Sequence, residues 1–327
     1  MRILHIIGNG FDINLGLRTR YSEFYEYLNK ASIDSAGIQD LNKAINEDRP
    51  NWADLEVALG KHLKNIRSLG QFDDLFNNLT LSLSQYLSEE EKNLKLSEFN
   101  LPRFENHLCH PENALRPADF EAVRRFKNKW KSHGWLINIV TLNYTRTIEK
   151  LLKDQITNYR IGKHNNSVGI TLQSVQHIHG YTNDRMIIGV NDTSQVENPN
   201  LINVPEIMNA VIKSNSNKSN KYEAEVAFKR EIEAANLYCL FGSSIGPTDK
   251  MWWEAIGKRL LDDSRLIIYD IDKKANPILG HLNGRKEEEI RDKFLSMTNL
   301  SSQEQKKVRN NIYIGINTEM FALKEPK

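Results

Sequence analysis

Two histidines stand two residues apart in the stretch "HIHG", His177 and His179. On a strand such a pair shares one face. An imidazole that titrates near neutrality can take a proton from water or from a hydroxyl. Asn143, in "TLNYT", carries an amide that can position water without adding charge. Near the start, "HIIGNGFD" leaves an apolar run through Gly8-Asn9-Gly10 and places Asp12 two residues later. Gly8 and Gly10 lack Cβ, so the backbone can take positive φ and a ligand can come close. A strand, a glycine turn and a helix start form a phosphate cradle, because free N–H groups point out of the turn. The dinucleotide fingerprint wants a third glycine where this chain has Ile13. Ser243 and Ser244, after Gly242, offer hydroxyls, and Asp270 follows another apolar run.

Each of these has a plainer reading. Asp12, Ser243 and Ser244 could be helix caps. Asn143 could bond the backbone at a strand-to-helix turn. Either histidine could be satisfied within the fold, and His177 is expected only to pack. The histidine pair has no clear third ligand at a matching spacing, so no metal is expected. Cys109 and Cys239 form no CxxC motif, which argues against a cysteine zinc site and a disulfide framework.

These residues need elements to hold them. Residues 3–7 read as a strand buried on both faces. Further strands are expected in "WLINIVTLNYT", "LQSVQHIHG", "MIIGVND", "NLYCLFGSSIGPTD", "RLIIYDID" and "NIYIGIN". Strands alternating with helices predict an α/β fold with a doubly wound, mainly parallel sheet. Ligands sit at the carboxyl ends of such strands. Those ends are Gly8–Gly10, Thr141–Thr145, His177–Gly180, Gly242–Gly246 and Asp270. Residues 20–133 read as a mostly helical insertion. The three prolines of "EFNLPRFENHLCHPENALRP" predict a loop within it. A helix is expected from Pro117, capped near Gly134. Residues 193–233 read as a polar loop or helical excursion, with the serine-asparagine part of "IKSNSNKSNKYEAE" a flexible loop. Trp52 and Glu56 read as packing and solvent contacts, Trp252 and Trp253 as core, and Lys213, Lys218 and Lys221 as solvated.

The bulk numbers narrow the function classes. The chain has 327 residues and a formal net charge of +2, and one domain spanning 1–327 is expected. So balanced a charge gives no footprint for nucleic acid. No apolar stretch is long enough to span a membrane, and the start has no signal-peptide pattern. A cytoplasmic protein is expected.

The blocks "IIGNGFDINLGLRTRYSEF", "TLNYTRTIE", "HIHG" and "FGSSIGPTD" resemble the bacterial AbiH family, associated with abortive infection by bacteriophage. Arg18 stands where AbiH-like chains often have proline. More remotely, the same blocks in the same order resemble the sirtuin-type NAD-binding core, a Rossmann-type fold. That resemblance implies roles. Gly8, Asn9 and Gly10 would approach the pyrophosphate, and Phe11 and Thr141 join the cofactor-binding set. Asn143 would hold a ribose or the attacking water, His179 would be the general base, and Asp12 would face the nicotinamide ribose. Gly242, Ser243 and Ser244 would bind phosphate or ribose hydroxyls, and Asp270 the adenine-side ribose. Sirtuins carry a small residue at the place of Asp12, aspartate at that of Thr145, and a four-cysteine zinc module that this chain lacks. These departures point away from protein deacylation. What the resemblance implies is an antiphage effector that binds NAD and hydrolyses it at the nicotinamide–ribose bond. The alternative is a nucleotide-sensing module without turnover that switches a partner interaction. The expected partners are a nucleotide and a phage-derived trigger, with self-association allowed and no membrane or nucleic acid.

Overall fold

The computed structural model describes residues 1–165, 167–272, 278 and 280–324. Its centre is a seven-stranded sheet: β1 (Arg2–Ile7), β2 (Trp135–Thr141), β3 (Tyr159–His164), β4 (Val168–His177), β5 (Leu237–Phe241), β6 (Arg265–Asp270) and β7 (Ile312–Ile316). The strand order is β3-β4-β2-β1-β5-β6-β7, and only the β3–β4 pair is antiparallel. In β5 every residue is buried, and in β1 all but the first. Such unbroken apolar runs suit central strands covered on both faces. The chain lays β2 and β4 on one side of β1, then crosses to place β5, β6 and β7 on the other. The order therefore reverses beside β1, which opens a crevice at the carboxyl ends of the strands.

Between β1 and β2 the chain is helical, with helices at Tyr21–Lys30, Ala36–Glu47, Leu55–His62, Leu69–Lys92, Leu101–Cys109 and Pro117–Lys127. Phe24, Leu28, Leu41, Leu55, Leu75 and Leu79 pack in an apolar core shared with Tyr144, after β2, and with Ile188, Val190, Ile207 and Val211, after β4. Two further cores cover the two faces of the sheet, and Trp252 and Trp253 lie in one of them, as expected. No helix among the described residues is long and apolar enough to cross a membrane.

Three local expectations are corrected, and one strand was not expected. The proline-rich stretch contains the helix Leu101–Cys109, because Pro102 sits in its first turn, where a missing N–H costs nothing, and Asn100 caps it by accepting from Arg103 N–H. The serine-asparagine stretch holds the helix Lys213–Ser219 rather than a flexible loop. "MIIGVND" joins no ladder; it makes one bridge, Val190 to Ile212. The edge strand β3 lacked a sequence signal, since "YRIGKH" is short and largely polar.

Candidate active site

A cavity of about 790 Å³ lies between the carboxyl edge of the sheet and the inserted helices. That volume is in the range of small-molecule sites, about 300–1,000 Å³. Gly8, Asn9, Gly10 and Asp12 line it from β1, and Asn143, Tyr144 and Thr145 from β2. His179 arrives from β4, Gly242, Ser243, Ser244 and Asp249 follow β5, and Asp270 ends β6. The facing wall includes Tyr21, Tyr25, Trp52, Asp54 and Glu56 from the insertion. Two expected residues are not brought there. Phe11 is fully buried in the core, with its ring edge-on to Phe241 and Phe321. Thr141 is also fully buried; its hydroxyl donates to Ile7 O at 3.0 Å and accepts from Asn143 N–H at 3.1 Å, which shapes the exit of β2.

The glycine turn has a different cause from the one expected. Positive φ among the glycines occurs at Gly16, Gly180 and Gly242, not at Gly8 or Gly10. What Gly8 and Gly10 allow is contact with the loop after β5. A Cβ on Gly8 would lie 2.7 Å from Gly242 O, and one on Gly10 would lie 2.5 Å from Gly242 Cα. Their N–H groups donate to Phe241 O at 2.9 Å and Gly242 O at 2.8 Å, so they are already engaged. The backbone N–H groups of Asn9, Ser243 and Ser244 donate to nothing among the described residues. The Asn9 side chain donates to Thr19 O at 2.7 Å and accepts from the Thr19 hydroxyl at 2.5 Å, tying the turn to the start of the insertion.

Asp12 is not a cap. It is buried, and its carboxyl accepts from the hydroxyls of Thr145 at 2.5 Å and Thr147 at 2.6 Å. Burial pushes its pKa up to about 6, against the two threonine hydrogen bonds. Asn143 lies near enough to oppose that rise slightly, yet neither its amide oxygen nor its amide nitrogen makes a hydrogen bond of good geometry. Its backbone is firmly held. His177 Nδ1 lies 2.8 Å from Asn143 O, and His177 Nε2 lies 2.7 Å from Glu149 Oε1. His177 is fully buried, so it does more than pack: it clamps the Asn143 loop to the helix Thr147–Leu151.

His179 enters a buried charge cluster. Its Nε2 lies 3.2 Å from Asp249 Oδ1. Lys213 Nζ donates to the same Asp249 oxygen at 3.0 Å and to Glu56 Oε2 at 2.8 Å. Burial alone would raise the Asp249 carboxyl, but Lys213 and His179 hold it well below the usual carboxylate range. Burial raises the Glu56 carboxyl, and Lys213 offsets this only in part. Glu56 and Lys213 are thus neither solvent contacts nor a solvated loop. Sequence reading missed this pairing because 157 positions separate the two residues. Asp249 was open to view inside "FGSSIGPTD", but its role depends on those distant partners. Ser243 and Ser244 do not cap a helix: the Ser243 hydroxyl accepts from Ile245 N–H at 3.3 Å, and Ser244 is exposed at the rim. Asp270 is exposed and accepts from Ile271 N–H at 2.8 Å. Among the described residues, no group of three His, Cys, Asp or Glu could hold a metal ion. Where two carboxylates converge, the Lys213 ammonium lies between them.

The family model described as "Bacteriophage abortive infection AbiH" matches residues 4–270. The chain belongs to the AbiH family. Membership suggests a role in abortive infection by phage. A search of the curated proteins finds no match to the chain. The AbiH match runs from β1 to the end of β6, so it takes in the cavity-lining ends of β1, β2, β4, β5 and β6 and the whole helical insertion, while Thr318 and Met320, which line the cavity after β7, lie outside it.

Proposed function

We propose that this AbiH protein is a cytoplasmic antiphage effector that binds NAD in the cavity and hydrolyses its nicotinamide–ribose bond. The observation that carries the reading is Asn143, a buried amide on the cavity wall with neither polar atom hydrogen-bonded. Leaving such a group unpaired costs on the order of 1–3 kcal/mol, which a bound hydroxyl or water would offset. Other features fit a dinucleotide. The six parallel strands, taken in chain order, follow the sequence of a dinucleotide-binding Rossmann sheet, with β3 added at the edge. The N–H groups of Asn9, Ser243 and Ser244 suit a diphosphate. Asp12, a cavity carboxyl that no cation pairs with among the described residues, favours a cationic pyridinium and the cation formed as it leaves.

In this reading the C–N bond to nicotinamide breaks and the ring leaves neutral. Water adds to the ribose carbon and gives its proton to His179, while Asn143 orients the water or a ribose hydroxyl. The products are nicotinamide and ADP-ribose.

The test is nicotinamide release from NAD by the purified protein. His179→Ala and Asn143→Ala should each lower turnover by a factor on the order of 10² or more. NAD affinity should change less, and the double variant should be little worse than either single one. A wild type that binds NAD and never releases nicotinamide, even with phage components present, supports nucleotide sensing instead. A wild type that does not bind NAD overturns both.

A further inference from the structure

His179 and His177 differ in how many ring nitrogens the protein occupies. Both nitrogens of His177 have partners. His179 meets the protein through Nε2 alone, 3.2 Å from Asp249 Oδ1, and its Nδ1 takes part in no hydrogen bond among the described residues. An ionised carboxylate only accepts, so a ring nitrogen facing it must carry the proton. A neutral imidazole then keeps its lone pair on the other nitrogen. Everything turns on whether Asp249 stays ionised where burial favours the neutral acid. The Lys213 ammonium answers this, 3.0 Å from the same oxygen and itself buried. Glu56 engages Lys213 from the far side at 2.8 Å and so fixes where the ammonium sits. The Tyr144 ring packs near the imidazole, with its centroid 6.4 Å away.

We propose that Asp249 is a positioning residue that locks His179 in the Nε2–H tautomer, leaving Nδ1 as the one basic nitrogen offered to a ligand. Its catalytic consequence rests on the hydrolase reading; the tautomer does not. Carboxylate and imidazole thus form a dyad whose acid comes from the segment after β5 and whose base follows β4. Lys213, from the excursion between them, keeps the acid an acceptor.

The experiment is long-range ¹H–¹⁵N spectroscopy of the full chain labelled at histidine. The spectrum is taken at pH 8.5, above the ordinary histidine value of about 6.5, and His179 is assigned by its loss in His179→Gln. The expected wild-type signal is a proton on Nε2 and none on Nδ1. A proton on Nδ1, a mixture of tautomers, or a doubly protonated ring overturns the proposal. Asp249→Leu, similar in size but unable to accept, should release the lock and give a mixture; Asp249→Ala serves if leucine does not fold. A lock that survives in either folded variant also overturns it. A locked wild type that releases no nicotinamide supports the dyad while removing hydrolysis, so the two failures are distinguishable.

Discussion

Asp12 couples folding to pH through one proton. Its carboxyl is raised from 3.8 to about 6, first by burial. Between those values the folded state holds a proton that the unfolded state has released. Stability therefore falls as pH rises through this window, by roughly 3 kcal/mol in all. Asp12→Asn keeps an acceptor for a threonine and removes the charge. The variant should melt higher than the wild type at pH 8, and the gap should shrink toward pH 4. Thermal melts across that range decide it; parallel curves would show that Asp12 does not carry the effect. Gly10 gives a second prediction. A methyl there falls 2.5 Å from backbone, so Gly10→Ala should lose about 1–3 kcal/mol by overpacking. A denaturant midpoint equal to that of the wild type would contradict the contact. The glycines were legible as special, but not why: their partner, Gly242, lies far along the chain.

The elements divide by how locally their causes act. β1, β2 and β5 were legible because unbroken apolar runs bounded by glycine or polar residues have few other uses. The helix Lys213–Ser219 was not, because serine and asparagine favour turns. What anchors it is the buried ion pair at Lys213, together with Asn217 Nδ2 donating to Glu225 Oε1 at 2.9 Å. Lys213→Met strands two buried carboxylates and should be strongly destabilising, by about 3–5 kcal/mol. Glu56→Gln leaves Lys213 with Asp249 and should cost much less. The double variant should melt above Lys213→Met alone, since one stranded carboxyl is gone. A double variant that melts lower than both would refute the pairing. His177 works at the same scale, joining the exit of β2 to the helix behind it. His177→Ala should lose stability and turnover together, whereas a fully active variant would show that Asn143 holds its place unaided.

At the scale of the molecule, the cavity belongs to the sheet and the insertion jointly. The strand ends were readable from sequence as one edge, and the structure brings them to one cavity. The opposite wall was not readable, because Tyr21, Trp52 and Glu56 sit in helices whose packing no local pattern specifies. If NAD is the ligand, 100 times its Kd should stabilise the protein by about 2.7 kcal/mol. It should also slow amide exchange both at the strand ends and in residues 49–56. Protection at the strand ends alone would mean that the insertion does not contact the ligand.

The backbone contact between the turn after β1 and Gly242 has a mechanical consequence. With no side chain between them, and with hydrogen bonds from Gly8 and Gly10 across the joint, neither turn can retreat without breaking the ladder below it. The sheet edge is a fixed frame. The facing wall is tied down separately: Asn9 holds the start of the insertion at Thr19, Glu56 pairs with Lys213, Gly60 O accepts from Glu197 N–H at 3.1 Å, and Asn198 donates to Leu63 O and Ile66 O at 2.9 Å.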